Sequence, residues 1–273
     1  MTLPVAVLDH VVVNARDSLD ELAETYRRLG FTLTPRGRHT LGSSNHLAVF
    51  GTDYLELVGV EPGPDNRTDV LDWPPGLNGI VFKTYDAEAV YGTLQANGVP
   101  VLPVQALSRP VQTPSGPQDA AFRTVRITRD AAPSGRLYFC QHLTPGLVWD
   151  DAVMRHPNGA VGVKRAVIAA ANPVGLLTLF SQMFGSCTAD GKLTAGHSHI
   201  DVVTPGLLHT EFGDCMPNAD GRQQFMAALM IRTASLEHTA AALLAGGIAS
   251  KRHGNTITVA ARDAGGVTVV FGH

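Results

Sequence analysis

Two polar residues stand in otherwise apolar strands near the N-terminus. His10 lies in Leu8-Asp9-His10-Val11-Val12-Val13-Asn14, and Glu56 in Asp53-Tyr54-Leu55-Glu56-Leu57-Val58. A carboxylate in such surroundings needs a cation, since burying it alone costs several kcal/mol or raises its pKa until it is neutral. Imidazole nitrogens and a carboxylate suit Zn, Mn, Fe, Ni or Co, and three such ligands with open coordination positions make a catalytic site. A plainer reading stands beside this one. Glu56 pairs with Arg36, Arg38 or Arg123, and the histidines simply hydrogen-bond in a polar cavity.

Period-two alternation indicates which residues converge, because a strand shows one face to its helix and the other to a cavity. With Val11, Val13, Leu55 and Leu57 on the helix side, His10, Tyr54 and Glu56 face inward. The same parity, with Leu47 and Val49 taken as core, turns His46 inward. With Leu137 and Phe139 on the helix side, Tyr138, Cys140 and His142 face the cavity. The expected metal ligands are therefore His10, Glu56 and His142. The expected catalytic groups are Glu56 as base, with Tyr54 or His46 as proton donor.

The elements that position these residues recur along the chain. A strand from Leu8 is followed by a helix from Ser18 to Leu29 with one apolar face, a stop at Gly30, and three strands. The same order returns from Asn78 with a stop at Gly98, from Val161 with a stop at Gly185, and from Phe225 with a stop at Gly246-Gly247. One helix cannot cover both faces of a four-stranded sheet. Such modules pair, giving an α+β fold of four βαβββ modules in two curved mixed sheets, with helices outside and a cavity inside each. The halves are expected at residues 1–150 and 151–273, divided near Thr144 to Gly162. Pro103 to Pro117 reads as a proline-rich loop long enough to act as a lid.

Composition narrows the function classes. The chain has 273 residues, 44% apolar content and a net charge of -3, with no lysine or arginine run. That profile offers no footprint for nucleic acid or an anionic membrane and favours a small-molecule ligand. The start Met1-Thr2-Leu3-Pro4 lacks the pattern of a signal peptide, and no apolar stretch is long enough to span a bilayer, so a cytoplasmic location is expected. Cys140, Cys187 and Cys215 show no CxxC spacing and read as free thiols.

The module order, together with His10 on a first strand and Glu56 on a fourth, resembles the vicinal oxygen chelate superfamily. More narrowly, Leu8-Asp9-His10-Val11-Val12, Gly37-Arg38-His39, Tyr54-Leu55-Glu56-Leu57, Gln141-His142-Leu143-Thr144-Pro145 and His156-Pro157-Asn158-Gly159 are similar to its glyoxalase-like domain proteins. The resemblance implies a divalent metal held between paired modules by first-strand and fourth-strand residues, chelated by a substrate with adjacent oxygens. The second module departs from that pattern, with Gly79 at the expected ligand position, so His142 or His46 must substitute. In the second half, Arg165 and Asp201 occupy the ligand positions and read as an ion pair in place of a metal. That half is expected to be structural, ligand-gating or a homodimer contact. A second metal-binding candidate is the alternating trio His197, His199 and Asp201, while His39 and His156 read as loop histidines.

The resulting expectation is a metal-dependent lyase or isomerase acting on a small metabolite. Its rivals are a metal-free small-molecule sequestering protein and, more weakly, an extradiol-type dioxygenase.

Overall fold

The computed structural model describes residues 2–61, 67–185 and 190–273. The first module is β1 (Leu8–Arg16), α1 (Leu19–Arg28), β2 (Gly37–Arg38), β3 (Ser44–Val49) and β4 (Tyr54–Gly59). A short α2 (Thr68–Leu71) leads to the second, with β5 (Gly76–Thr84), α3 (Ala87–Ala96), β6 (Gln105–Thr113), β7 (Gly116–Arg126) and β8 (Arg136–His142). The third contains β9 (Ala160–Ala170), α4 (Val174–Phe184), β10 (Lys192–Ala195), β11 (Ser198–Val203) and α5 (Pro205–Phe212). The fourth contains β12 (Gln224–Thr233), α6 (Leu236–Ala245), β13 (Lys251–His253), β14 (Thr256–Val259) and β15 (Thr268–Gly272).

The first sheet has eight strands in the order β2-β3-β4-β1-β5-β8-β7-β6, and the second has seven in the order β10-β11-β9-β12-β15-β14-β13. Within each module the first strand runs parallel to the last, and the two first strands of a pair meet antiparallel at the middle of the sheet. The α+β architecture of two curved mixed sheets is thus the one read from the repeats.

Helix-facing residues of both sheets and the apolar stripes of α1, α3, α4 and α6 form one continuous core. Phe31 of the first half stacks on Phe271 of the second, and Phe82 meets Phe184 edge to face, with ring centroids 5.9 and 4.7 Å apart. The helix stop at Gly30 adopts φ 85°. At the fourth stop, Gly247 takes the left-handed position, while Gly246 lets the backbone of Arg28 approach where a Cβ would collide. The concave face of the second sheet carries α5, whose Leu208 packs on Val167, Ala169, Phe225 and Ala227.

Two expectations about the strands change. Pro103 to Pro117 is not a lid loop: residues Gln105–Thr113 form β6, antiparallel to β7. Pro110 is tolerated there because β6 is the sheet's last strand, where a missing N–H breaks no ladder on the open side. After Gly98, where the repeated order calls for a strand, Val99 to Leu102 form only a single bridge between Val101 and Ile127. Cys140 and Cys215 are buried free thiols, and Cys187 lies outside the described residues. Among the described residues, no helix is long and apolar enough to cross a membrane.

Candidate functional site

The site is built on an irregularity in β1. Leu8 pairs with Phe82 and His10 with Val81, so Asp9 is an extra residue on its strand. Such a bulge lets two successive side chains act on one side of a sheet, where regular pleating would send them to opposite faces. Asp9 is fully buried and accepts hydrogen bonds at one oxygen, Oδ1, from His10 Nδ1 at 2.7 Å and from His142 Nε2 at 2.9 Å. Burial alone would favour the neutral acid. The two hydrogen bonds and the charges of the two histidines outweigh it and hold the Asp9 carboxyl far below its usual range.

With Nδ1 engaged, His10 presents Nε2 to the cavity. That nitrogen lies 3.2 Å from the Tyr138 hydroxyl and 3.7 Å from Glu56 Oε2. The ring stacks on Tyr54 with centroids 4.3 Å apart and planes 13° apart, which fixes its orientation. Glu56 accepts from Asn45 Nδ2 at 2.6 Å. His39 stands on the far side of that amide, with Nε2 3.2 Å from Asn45 Nδ2 and 3.9 Å from Glu56 Oε1. Its Nδ1 meets Ser43 Oγ at 2.9 Å.

Burial pushes Glu56 toward neutrality, but His10, His39, the Asn45 hydrogen bond and Arg136 bring its pKa below the usual value. His39 is driven down to about 4, by burial first and by Arg109 and Arg67 in addition, against the pull of Glu56. It is therefore neutral at physiological pH, and its one lone pair faces Asn45 Nδ2 or Ser43 Oγ according to the tautomer. Burial raises the Tyr138, Tyr54 and Cys140 pKa values, and nearby carboxylates raise them further, so all three keep their protons. The cavity has a volume of about 80 Å³, and Leu107, Arg109 and Phe122 are part of its lining.

His10, Glu56 and Tyr54 meet in this cavity. His142 does not reach it: its Nε2 is taken by Asp9, and the ring lies beside Trp149 and Lys83 in a separate cleft. His46 is also elsewhere, bonded through Nδ1 to the Thr34 carbonyl at 2.8 Å. The parity assumed for β3 is reversed. Leu47 lies opposite Glu56 in the β3–β4 pairing and so shares its face, which puts Asn45, Leu47 and Val49 on the cavity side. Apolar cavity walls make the two faces of β3 indistinguishable by hydrophobicity.

The plainer pairing of Glu56 with Arg36 or Arg38 does not form, because both turn to Glu61 at 3.3 and 3.4 Å. Asn45 and the role of Asp9 are not among the residues expected from the sequence, whereas His39 lies, as expected, in the loop after β2 and lines the cavity.

Two groupings bear on a metal. Ligand atoms of Asp9, Cys140 and His142 lie within 4.8 Å of one another. The first has competing claims: Asp9 Oδ1 is already shared by two imidazoles and the Lys83 ammonium sits 3.9 Å from Oδ2, although Oδ2 and His142 Nδ1 make no hydrogen bond. The second is the two-histidine, one-carboxylate set of His10, Glu56 and His39 facing the cavity, a donor set that suits a divalent cation.

In the second half, Arg165 Nε donates to Asp201 Oδ2 at 2.6 Å and its other nitrogens bind Glu211, the ion pair anticipated there. His197 falls in a turn beyond β11, so the trio with His199 and Asp201 does not assemble. His156 is a structural tie, accepting from the Thr32 amide at 3.0 Å and donating to the Val49 carbonyl at 3.0 Å.

The sequence model of the glyoxalase-like domain matches residues 8–184. Among solved structures, a hypothetical protein from Staphylococcus aureus superposes with a TM-score of 0.66 at 14% identity, covering 98% of this chain and 99% of the other. A variant of 4-hydroxymandelate synthase from Streptomyces coelicolor gives 0.62 at 10% identity, covering 98% and 92%. A xylose isomerase-like TIM barrel/4-hydroxyphenylpyruvate dioxygenase fusion protein gives 0.62 at 12%, covering 100% of this chain and 50% of the fusion. At these identities the likeness is one of fold. No curated protein sequence matches.

Proposed function

Because the chain belongs to the glyoxalase-like domain family, we propose that it is a divalent-metal-dependent enzyme of lyase or isomerase type. Its substrate is a small metabolite with adjacent oxygens, held in the first-sheet cavity. The observation that carries this reading is the clamp on His10, with Asp9 2.7 Å from Nδ1 and Glu56 3.7 Å from Nε2. A carboxylate behind Nδ1 fixes the tautomer and raises the basicity of Nε2, the usual support of a metal-binding imidazole. His10, Glu56 and His39 would hold the ion, with His39 in the place expected of His142.

When bound, the ion supplies Lewis acidity that polarises substrate oxygens. The remaining work falls to side chains. Glu56, kept ionised, is the base for a proton next to a polarised carbonyl. Tyr138, kept protonated and directed at His10 Nε2, is the proton donor, a role Tyr54 shares only if its hydroxyl reaches the ligand. The apolar wall of Leu47, Val58 and Leu107 keeps bulk water from the reacting atoms.

The test is cobalt(II) titration of untagged, metal-stripped protein, followed by visible absorption and elemental analysis. Wild type and His142→Ala should bind one equivalent, and His10→Ala, Glu56→Gln and His39→Ala should lose it. Equal binding in all variants, or none in wild type, refutes the reading.

A second reading, metal-free sequestration of a small molecule, is favoured by the four arginines that share the cavity wall with only two carboxylates. It would appear as ligand binding that persists in chelator without turnover. The weaker alternative, an extradiol-type dioxygenase, has a dioxygenase fusion among the similar folds, but in the second half Arg165 and its acidic partners fill the place of a metal.

A further inference from the structure

Arg109 projects from the middle of β6 into the cavity and is 5% exposed. Among the described residues it makes no hydrogen bond and no ion pair. Nearly every other guanidinium around the cavity is at least partly engaged. Arg67 forks onto Asp69 at 2.6 and 2.7 Å, Arg126 reaches Asp69 at 3.3 Å, and Arg136 Nε donates to Asn78 at 2.8 Å. Even these leave donors over, since Arg126 Nε and Arg136 Nη2 are buried without a partner.

The charges do not balance. The wall carries the four guanidinium groups of Arg67, Arg109, Arg126 and Arg136 against the carboxylates of Asp69 and Glu56. Four less two leaves an excess of two positive charges, with the histidines counted as neutral. A buried guanidinium without a counter-ion is costly, and a fork of planar N–H donors matches a carboxylate or phosphate oxygen pair. Room for Arg109 is made by Gly37, where a Cβ would approach its Cδ to 2.8 Å and its Nη1 to 3.0 Å. The position is therefore shaped around that side chain.

We propose that Arg109, with the positive charges of Arg126 and Arg136 on the same wall, forms an oxyanion subsite, and that the ligand of this cavity is a small dianionic oxyacid. Each water position needs roughly 10–15 Å³ of such space, so a cavity of about 80 Å³ holds a molecule of only several heavy atoms. A short dicarboxylate and a phosphate share the required chemistry, two negative charges spread over oxygens. This assignment rests on the cavity being the functional site proposed above, but it does not require the metal.

The test is calorimetric titration of full-length, metal-stripped protein with malonate, with inorganic phosphate and with acetate, at two salt concentrations. Malonate or phosphate should bind with one-to-one stoichiometry, and acetate at least tenfold more weakly. Arg109→Met should weaken the dianion at least tenfold and Arg109→Lys by less, because lysine keeps the charge and loses the fork. Far-UV circular dichroism and a denaturation midpoint establish that each variant is folded. A cobalt(II) titration of wild type run beside the calorimetric one separates the proposals: dianion binding without cobalt binding keeps the subsite and removes the metal reading, and cobalt binding without dianion binding removes the subsite and leaves the metal reading standing. Absence of binding by both dianions, equal binding of acetate, or undiminished binding by a folded Arg109→Met overturns the assignment.

Discussion

Replacing His39 with glutamine should flatten the acid limb of this protein's stability. The side chain is 9% exposed, and its pKa is pushed down to about 4 from an ordinary 6.5, with burial the leading cause. The unfolded chain takes up a proton near the ordinary value, whereas the folded chain refuses it until much lower pH. Between those values the unfolded state carries more protons, so stability falls as pH is lowered through that window and is independent of this group above it. At about 1.36 kcal/mol per unit, the whole effect is about 3 kcal/mol, of which about 2 kcal/mol is reached by about pH 5. Urea denaturation of metal-free protein, followed by tryptophan fluorescence at about pH 8 and about pH 5, measures the loss. His46 and His156, whose pKa values are also lowered by burial, contribute equally to wild type and variant and cancel in the difference. Wild type should lose about 2 kcal/mol more than His39→Gln. An equal loss in both would mean that His39 is not held neutral in the fold, and would remove the lone pair on which its role as a metal donor depends.

Two further substitutions probe the supports of the site. Asp9→Asn leaves one neutral oxygen where two imidazoles now share a carboxylate, and should weaken cobalt(II) binding about ten- to hundredfold, read from the same absorption titration; unchanged affinity would show that Asp9 does not tune His10. Gly37→Ala should cost about 1–3 kcal/mol by overpacking against Arg109 and Asn45, measured as a lowered urea midpoint, and should weaken malonate or phosphate binding in parallel. A variant as stable as wild type would show that the space beside Arg109 is not tight.

Much of the architecture follows from local pattern alone. The helix periodicity before Gly30, Gly98, Gly185 and Gly246-Gly247 marks four repeated modules, because a buried helix stripe and a left-handed stop leave a signature in a single stretch of chain. The inward placement of His10, Tyr54 and Glu56 was likewise legible, since β4, and β1 from His10 onward, alternate between a helix-packed face and a cavity face. Pro103 to Pro117 was misread because proline suggests a loop, and only the sheet order shows that β6 is an edge strand that accepts Pro110.

The set of partners around His10 depended on tertiary structure. A bulge that brings Asp9 and His10 to one side breaks the two-residue period on which strand reading rests, and no residue type announces it. The face of His46 was undecidable locally, because the cavity wall at Leu47 and Val49 is as apolar as the core behind it. Arg67, Arg109, Arg126 and Arg136 are far apart in the chain, and only the curvature of an eight-stranded sheet brings their charges together. Sequence therefore determined the modules and one acid and one imidazole in a cavity, properties of single strands and helices. Tertiary structure decided which second histidine stands beside them and what charge surrounds them, because both depend on contacts between residues separated by whole elements.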